Sequence, residues 1–222
     1  MSKKNEKRSK GFKVLSLVLA FVLVIGASVA GTLAWLTAKT DTVKNTFASA
    51  ELFDSNGYID LWENKAEDVD GDGQYTLNNS VRVKTNTYDI LPGVDIPKNP
   101  YVDVVKLKEH AYLYIKVTGL PMGDGLTAVV DTTNWTELLG YDGLYVYSGT
   151  EAENNIIKAT DDDPITFTAT ILADNEIRVA DSYEGTSDDI TLSFDAYMVQ
   201  ATGNGVSAAA AWANTYGAPQ NP

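Results

Sequence analysis

The stretch AYLYIKV, residues 111–117, alternates two kinds of side chain along its whole length. Its odd-numbered residues are aliphatic, whereas its even-numbered residues are two tyrosines and a lysine. The stretches ITFTATI at 165–171 and ITLSFDAYM at 190–198 repeat this alternation. A period of two indicates a β-strand with one buried face, because successive side chains of a strand point to opposite sides. The three stretches therefore predict core strands of an antiparallel sheet.

The remainder of the chain predicts the same fold class. Shorter apolar runs predict weaker strands at 126–130, 144–147 and 177–179. Clusters of Gly, Asn and Asp separate the runs at the spacing that is typical of a sandwich. Helical character is confined to 136–139 and 206–216. We therefore predict one domain, residues 51–222, that folds as an antiparallel, jelly-roll-like β-sandwich with one or two short helices.

Residues 1–25 have the pattern of a secretory signal. The first thirteen positions carry six basic residues and one acid, and twelve residues without charge follow them. Two cleavage frames then fit the small-x-small rule, one after Ala30 with Ser28 and one after Ala34 with Thr32. The alternative is an uncleaved membrane anchor. We expect an exported protein with a cleaved signal peptide.

The stretch GTLAWLTAKTDTVKNTFASAEL, residues 31–52, resembles the end of the signal peptide and the mature start of the TasA/camelysin (CalY) family. Signal peptides of that family are removed by a dedicated SipW-type signal peptidase, with Thr and Ala just before the cut. The resemblance implies that Thr32 and Ala34 precede the cut, that Trp35 begins the mature chain and that residues 1–34 are removed. Alanine stands here where the family has glycine after its Phe-Ala-Ser pattern.

Two further stretches carry the same resemblance. LPGVDI, residues 91–96, is similar to the family's proline-glycine turn before a long strand. FDAYMVQA, residues 194–201, with the Ala-Trp pair at 211–212, is similar to the ending that SipW-processed proteins share. The three stretches follow the family's order and cover both ends and the middle of the chain. Residues 124–163 carry no such resemblance.

The family consists of extracellular matrix proteins that assemble into fibres, in which each subunit's N-terminal segment adds as a strand to its neighbour's sheet. The resemblance implies that residues 35–50 are such a donor strand. Its apolar side chains would enter a groove on the neighbour: Trp35, Leu36, Val43 and Phe47. The partners would be other copies of this chain, the SipW-type peptidase and other matrix components. Alternatively, 42–52 is an ordinary first strand of its own domain and 35–41 is a frayed tail.

The chain is strongly acidic, with a formal net charge of −13. Residues 1–34 hold six of its seventeen basic residues and one of its thirty acidic ones, so the mature chain would have a net charge of −18. Such a charge is repelled by nucleic acid and by anionic membranes, so we expect no nucleic-acid partner and membrane contact only through the signal peptide. The chain has no cysteine, which favours a Gram-positive cell surface or matrix as its location.

The stretch DVDGDGQYT, residues 68–76, is the clearest chemical motif. Carboxylates at alternate positions, Asp68, Asp70 and Asp72, converge on one hard cation when the chain curls, and the glycines permit the bend. Gln74 would add a further oxygen. The motif lacks the closing glutamate of an EF-hand, and a strand pattern follows it. It therefore predicts either a calcium-binding loop or an acidic turn that is simply solvated.

The resemblance also raises one enzyme class, because camelysin relatives are classed as metallopeptidases. This chain has a single histidine, His110, and no HExxH helix, whereas a catalytic zinc normally takes three protein ligands, mostly histidines. It also has no cysteine and no GxSxG nucleophile elbow. We therefore predict that the protein is not an enzyme, with a camelysin-like surface metallopeptidase as the alternative.

A glycan-binding surface module is a further alternative. Five tyrosines could form an aromatic platform on one sheet face: Tyr112, Tyr114, Tyr141, Tyr145 and Tyr147. Tyrosine is also a favoured cross-strand residue in sheets that bind no ligand. We favour the second interpretation and keep glycan binding as the alternative.

Overall fold

The computed structural model describes residues 37–40, 52–123, 125–184, 190–201 and 207–218, and of 37–40 it describes only the backbone. All of these residues belong to one compact unit, Leu36–Pro222. Among the residues described, strands account for most of the regular structure, and one α-helix, α1 (Ala208–Tyr216), follows them.

Fourteen strands run through the described residues. In chain order they are β1 (Thr37–Thr40), β2 (Phe53–Glu67), β3 (Thr76–Val83), β4 (Ile96–Pro97), β5 (Tyr101–Leu107), β6 (Ala111–Thr118), β7 (Leu126–Thr127), β8 (Trp135–Glu137), β9 (Leu144–Tyr147), β10 (Ala152–Glu153), β11 (Ile156–Ile157), β12 (Ile165–Thr170), β13 (Glu176–Val179) and β14 (Ser193–Gln200).

These strands form three sheets, and their pairings are antiparallel. The first sheet has the order β1-β14-β6-β11-β10, and β9 pairs with both β6 and β8. The second sheet has the order β12-β5-β2-β3, and the third is the short sheet β4-β13-β7. The prediction of an all-β antiparallel fold is confirmed, and its more specific form, a jelly-roll-like sandwich, stays a prediction.

The strand that AYLYIKV predicts is β6, which lies inside the first sheet. It pairs with β14 along eight residues, from Ala111 opposite Gln200 to Thr118 opposite Ser193. Its aliphatic side chains enter a hydrophobic core that also contains Val102 of β5. The first and second sheets therefore each contribute one face to the same core, which is why the apolar side chains of these strands recur with a period of two.

The opposite face of β6 is covered by α1. Trp212 of the helix lies with its ring centroid 5.1 Å from that of Tyr114 and 5.1 Å from that of Tyr197. The Tyr114 hydroxyl donates to the carbonyl of Ala208 at 2.8 Å. The tyrosines on this face are therefore buried, because an aromatic cluster and the helix lie over them.

The boundaries of α1 follow from its capping residues. The Ser207 hydroxyl accepts a hydrogen bond from the backbone N–H of Ala210 at 3.2 Å. Gly217 ends the helix at φ +105° and donates its N–H to the Ala213 carbonyl. The prediction of a C-terminal helix is confirmed from residue 208 onward. Within the described residues, no helix is long and apolar enough to cross a membrane.

The helix predicted at 136–139 is wrong. Residues Trp135–Glu137 form β8, which pairs with β9. Trp135 is buried, and its indole N–H donates to the Thr170 carbonyl at 2.7 Å. This anchored ring and the β-branched Thr136 favour an extended backbone, and a stretch of four residues is too short for local helical preference to outweigh them.

Two predicted strands differ by more than one residue in their extent from the observed ones. The strand predicted at 190–198 begins only at Ser193, and that predicted at 126–130 stops at Thr127. The strand predicted at 42–52 lies outside the described residues except for Leu52, which is in a turn. The alternative of a frayed tail at 35–41 is wrong for four of its residues, because 37–40 is β1.

Candidate functional site

The acidic motif forms the loop between β2 and β3. Asp68 is half-buried where β2 ends, and Asp70 and Asp72 are exposed. Carboxylate oxygens of the three residues all lie within 4.8 Å of one another. The structure thus brings together the three aspartates that the motif places at alternate positions.

Hydrogen bonds within the loop hold two of the three carboxylates. Asp68 accepts from the backbone N–H of Gly71 at 2.8 Å and from that of Gly73 at 3.0 Å. Asp72 accepts from the backbone N–H of Gln74 at 2.8 Å and from its side-chain amide at 2.9 Å. The two glycines adopt φ values of +77° and +81°, which side chains with a Cβ rarely allow. Gln74, the predicted fourth ligand, therefore lies against Asp72.

These side chains fit a hard divalent cation. Calcium takes about six to eight oxygen ligands, which carboxylates and water can supply together at an exposed loop. Three like charges this close repel one another, and a bound cation would remove that repulsion. The donor set, which is entirely oxygen, matches calcium better than zinc.

β1 is the part of the predicted donor segment that the structure describes. It lies along one edge of β14, with Thr37 opposite Val199 and Thr40 opposite Ala196, while β6 takes the other edge. Without β1, this edge of β14 would present a row of unpaired N–H and C=O groups. The predicted cleavage and donor residues lie outside the described residues: Thr32, Ala34, Trp35, Leu36, Val43 and Phe47.

The tyrosines of the expected aromatic platform do not share an exposed face. Tyr112 and Tyr114 are 2% and 0% exposed, and they lie on the face that α1 covers. Tyr145 is opposite Ile115 in the pairing of β9 with β6, so it points to the core side of the sheet. Tyr147 is buried on that same side. The strand register therefore divides these four tyrosines between two faces, and Tyr141 lies outside the strands, between β8 and β9.

His110 does not belong to a metal cluster in the part of the chain that the structure describes. Its Nδ1 atom lies 2.7 Å from the Ala159 carbonyl oxygen, and its side chain is at the surface. Among the described residues, the acidic loop is the only group of three or more potential ligands with metal-binding geometry. Among the described residues, His110 therefore belongs to no group of potential metal ligands.

A second candidate site is a cleft of about 860 Å³ that the sequence does not reveal. On its wall the Lys98 ammonium donates to Glu63 Oε2 at 2.7 Å, and the two side chains are 8% and 7% exposed. Burial, and then the charge of Glu63, raise the pKa of the Tyr88 hydroxyl beside them well above its usual range. Glu63 and Lys98 stand 35 positions apart in segments without a motif, so only the folded chain brings them together.

A buried carboxylate on the outer face of the second sheet was also not predictable. Asp103 accepts from the Trp62 indole N–H at 2.9 Å, from Arg82 Nη1 at 2.7 Å and from the Thr168 hydroxyl at 2.6 Å. The Arg82 guanidinium also lies 4.1 Å from the centroid of the Trp62 ring. Because its partners satisfy this carboxylate, we assign it a structural role.

Comparisons of the chain with models of protein families, with curated proteins and with solved structures give no match. The functional interpretation therefore depends on the residues of this chain and on the geometry described above.

Proposed function

We propose that the protein is a secreted structural subunit of a bacterial extracellular matrix or cell surface, and that it assembles into fibres by N-terminal strand addition. The observation that carries the proposal is the pairing of β1 with β14. This strand has four residues, and residues 41–52 connect it to β2. A β1 from another copy could make the same backbone pairing, because the hydrogen bonds of a sheet do not depend on which chain supplies the strand.

The residues before β1 support export and processing. A basic start followed by an uncharged run has the pattern of a signal peptide. The resemblance to SipW-processed proteins favours a cut between Ala34 and Trp35, by a SipW-type peptidase of a Gram-positive bacterium. That cut would leave β1 two residues from a new N-terminus. A strand with one free end can leave its own sheet and join another.

Calcium binding is a second function that one observation favours. The carboxylate oxygens of Asp68, Asp70 and Asp72 lie within 4.8 Å of one another on an exposed loop. A calcium ion there would fix the link between β2 and β3 at the edge of the second sheet. Other matrix components could then meet an ordered surface.

We propose a non-enzymatic role. A zinc peptidase of the camelysin type would need several nitrogen or carboxylate ligands around one open position. The one histidine of the chain, His110, bonds to a backbone carbonyl and is not part of the acidic cluster. The geometry therefore favours strand addition over peptide hydrolysis.

The test of strand addition compares two double variants of the protein, secreted by a host that supplies the peptidase. Ala38→Pro/Lys39→Pro removes two adjacent N–H donors from β1, at least one of which faces β14 in an antiparallel ladder. Ala38→Thr/Lys39→Thr keeps both donors and serves as the matched control. Electron microscopy should show fibres for the wild type and the control, and none for the proline variant.

Urea unfolding of the monomer confirms that the proline variant is folded. Fibres from a folded proline variant, in the same amount as from the wild type, would exclude β1 as the joining strand. N-terminal sequencing of the secreted protein should give Trp-Leu-Thr-Ala. A start at Gly31 would instead place the cut after Ala30.

A further inference from the structure

The cleft lies among β2, the segment 84–90, the third sheet and the start of β14. Its volume of about 860 Å³ is within the range of roughly 300–1,000 Å³ that small-molecule sites usually have. Its lining combines apolar side chains with a buried ion pair. This combination of an apolar wall and a few fixed polar groups is typical of a ligand site.

The apolar wall of the cleft belongs to a small hydrophobic cluster that is separate from the main core. Its buried members along the cleft are Ile96, Leu126, Ile177 and Tyr183. Partly buried members that also line the cleft are Tyr88, Ile90, Met122, Ile190 and Leu192. Within the described residues, the fold leaves this apolar surface partly open, and a ligand that covered it would remove it from water.

The polar part of the wall is the pair of Lys98 and Glu63. An ammonium group has three N–H donors, and Lys98 gives one of them to Glu63 at 2.7 Å. The Lys98 Nζ atom also lies 5.7 Å from the centroid of the Tyr88 ring and 5.9 Å from that of the Phe194 ring. Removing two charges from water costs more than one such bond returns unless further hydrogen bonds form. Both side chains line the cleft, so a molecule bound there could supply further hydrogen bonds to the pair.

The neutrality of the Lys98–Glu63 pair indicates which head group a ligand in the cleft would have. Lys98 and Glu63 together are neutral, and they offer a donor and an acceptor side by side. A charged ligand would leave a net charge buried against them, and an anion would also meet the field of an acidic protein. A hydroxyl or a primary amide can accept from Lys98 and donate to Glu63 at once.

We propose that this cleft binds an uncharged, largely apolar small molecule, whose hydroxyl or amide head group bonds to the Lys98–Glu63 pair. This binding function goes beyond the structural role and does not depend on fibre formation.

The test uses the purified monomer and N-phenyl-1-naphthylamine, an uncharged apolar dye that fluoresces when it leaves water. The dye should bind saturably, at one molecule per chain. 1-Octanol should displace it at a concentration at least about tenfold lower than octanoate or octylammonium, which have the same chain length and a charged head. No saturable binding, or equal displacement by the three competitors, would overturn the proposal.

Two variants locate the binding. Ile190→Trp fills the cleft and should weaken dye binding at least about tenfold, whereas Val129→Trp, an exposed position that does not line the cleft, should leave it unchanged. Glu63→Leu/Lys98→Met removes both charges, because the loss of one alone would leave the other buried and unpaired. This double variant should still bind the dye, but 1-octanol should displace it only at a concentration at least about tenfold higher than from the wild type, because the hydroxyl loses both hydrogen-bond partners.

Circular dichroism and urea unfolding establish that each variant is folded before dye binding is compared. A folded Ile190→Trp variant with unchanged binding would place the dye elsewhere and overturn the proposal. Displacement by 1-octanol at an unchanged concentration in the folded double variant would overturn the assigned role of the ion pair.

Discussion

Asp103 is a buried polar side chain whose loss should cost a measurable amount of stability. It is 7% exposed and accepts from the side chains of Trp62, Arg82 and Thr168. Asp103→Ala would leave these donors without an acceptor. The side chain of Arg82 is 44% exposed and can turn to water, so we expect a loss of only about 2 kcal/mol in the free energy of unfolding. Urea unfolding of Asp103→Ala and the wild type measures this loss.

A matched change at an exposed ion pair provides the control. Asp161 lies 3.1 Å from Lys108, and its side chain is 71% exposed. Asp161→Ala should change the free energy of unfolding by less than about 0.5 kcal/mol, because water screens such pairs. Equal losses for the two variants would show that the hydrogen bonds of Asp103 contribute nothing beyond an ordinary surface charge.

Strands were predictable where their two faces carry different kinds of side chain. The alternation of residues 111–117 corresponds to β6, because aliphatic side chains enter the core while the intervening tyrosines meet α1. β8 was not predictable, because a strand of three residues is too short to show an alternating pattern. A long-range hydrogen bond from the Trp135 indole holds it in place. Its partner, the Thr170 carbonyl, is 35 positions away. Such tertiary contacts override local propensity.

The candidate sites also differ in whether their residues are neighbours in the sequence or meet only in the folded chain. The acidic loop was predictable because its aspartates and glycines are neighbours in sequence, and the loop bends through their own hydrogen bonds. The pair of Glu63 and Lys98 was not predictable, because its two members come from separate segments and have no motif in common. The alternative of a tyrosine platform rested on the tyrosine content of the sequence, which does not reveal the strand register that separates Tyr114 from Tyr145.

The loop between β2 and β3 should respond to calcium if its three carboxylates act together. At a free calcium concentration about 100 times its Kd, binding would stabilise the folded state by about 2.7 kcal/mol and raise the Tm by several degrees. Asp70→Asn should abolish this rise, whereas Asp162→Asn, in an exposed run of aspartates, should keep it. Differential scanning calorimetry with calcium, and with magnesium for comparison, measures the shift.

A wild-type Tm that does not change at millimolar calcium would leave the loop as a solvated acidic turn. The same conclusion would follow if Asp70→Asn and Asp162→Asn responded equally. In that case the effect of calcium would come from general screening of an acidic protein, which magnesium should reproduce.

The protein as a whole should lose stability at alkaline pH. Burial raises the pKa of Tyr114 well above its ordinary value of about 10, and it does so for Tyr88 and Tyr147 as well. Below pH 10 these phenols are neutral in both the folded and the unfolded state, so they add no pH dependence. Above it only the unfolded state ionises, and the free energy of unfolding falls as pH rises.

Urea unfolding between pH 7 and pH 11 measures this loss. Each fully buried tyrosine adds a slope of at most about 1.4 kcal/mol per pH unit above pH 10. Tyr114→Phe should therefore give a shallower fall, and near neutral pH it should cost about 1 kcal/mol for the lost bond to Ala208. A fall as steep as that of the wild type would mean that Tyr114 ionises as easily in the folded protein as in water.

The pairing of β1 with β14 of its own chain has a consequence for where fibres would form. A tethered strand competes with the strand of a neighbour at an effective concentration in the millimolar range for a short linker. In an isolated copy, β1 would therefore stay paired with β14 of the same chain. If copies join by exchange, they would do so only where their local concentration approaches that of the tethered strand, as in the layer just outside a secreting cell. The chain would thus act as its own competitive inhibitor, and crowding would decide where assembly begins.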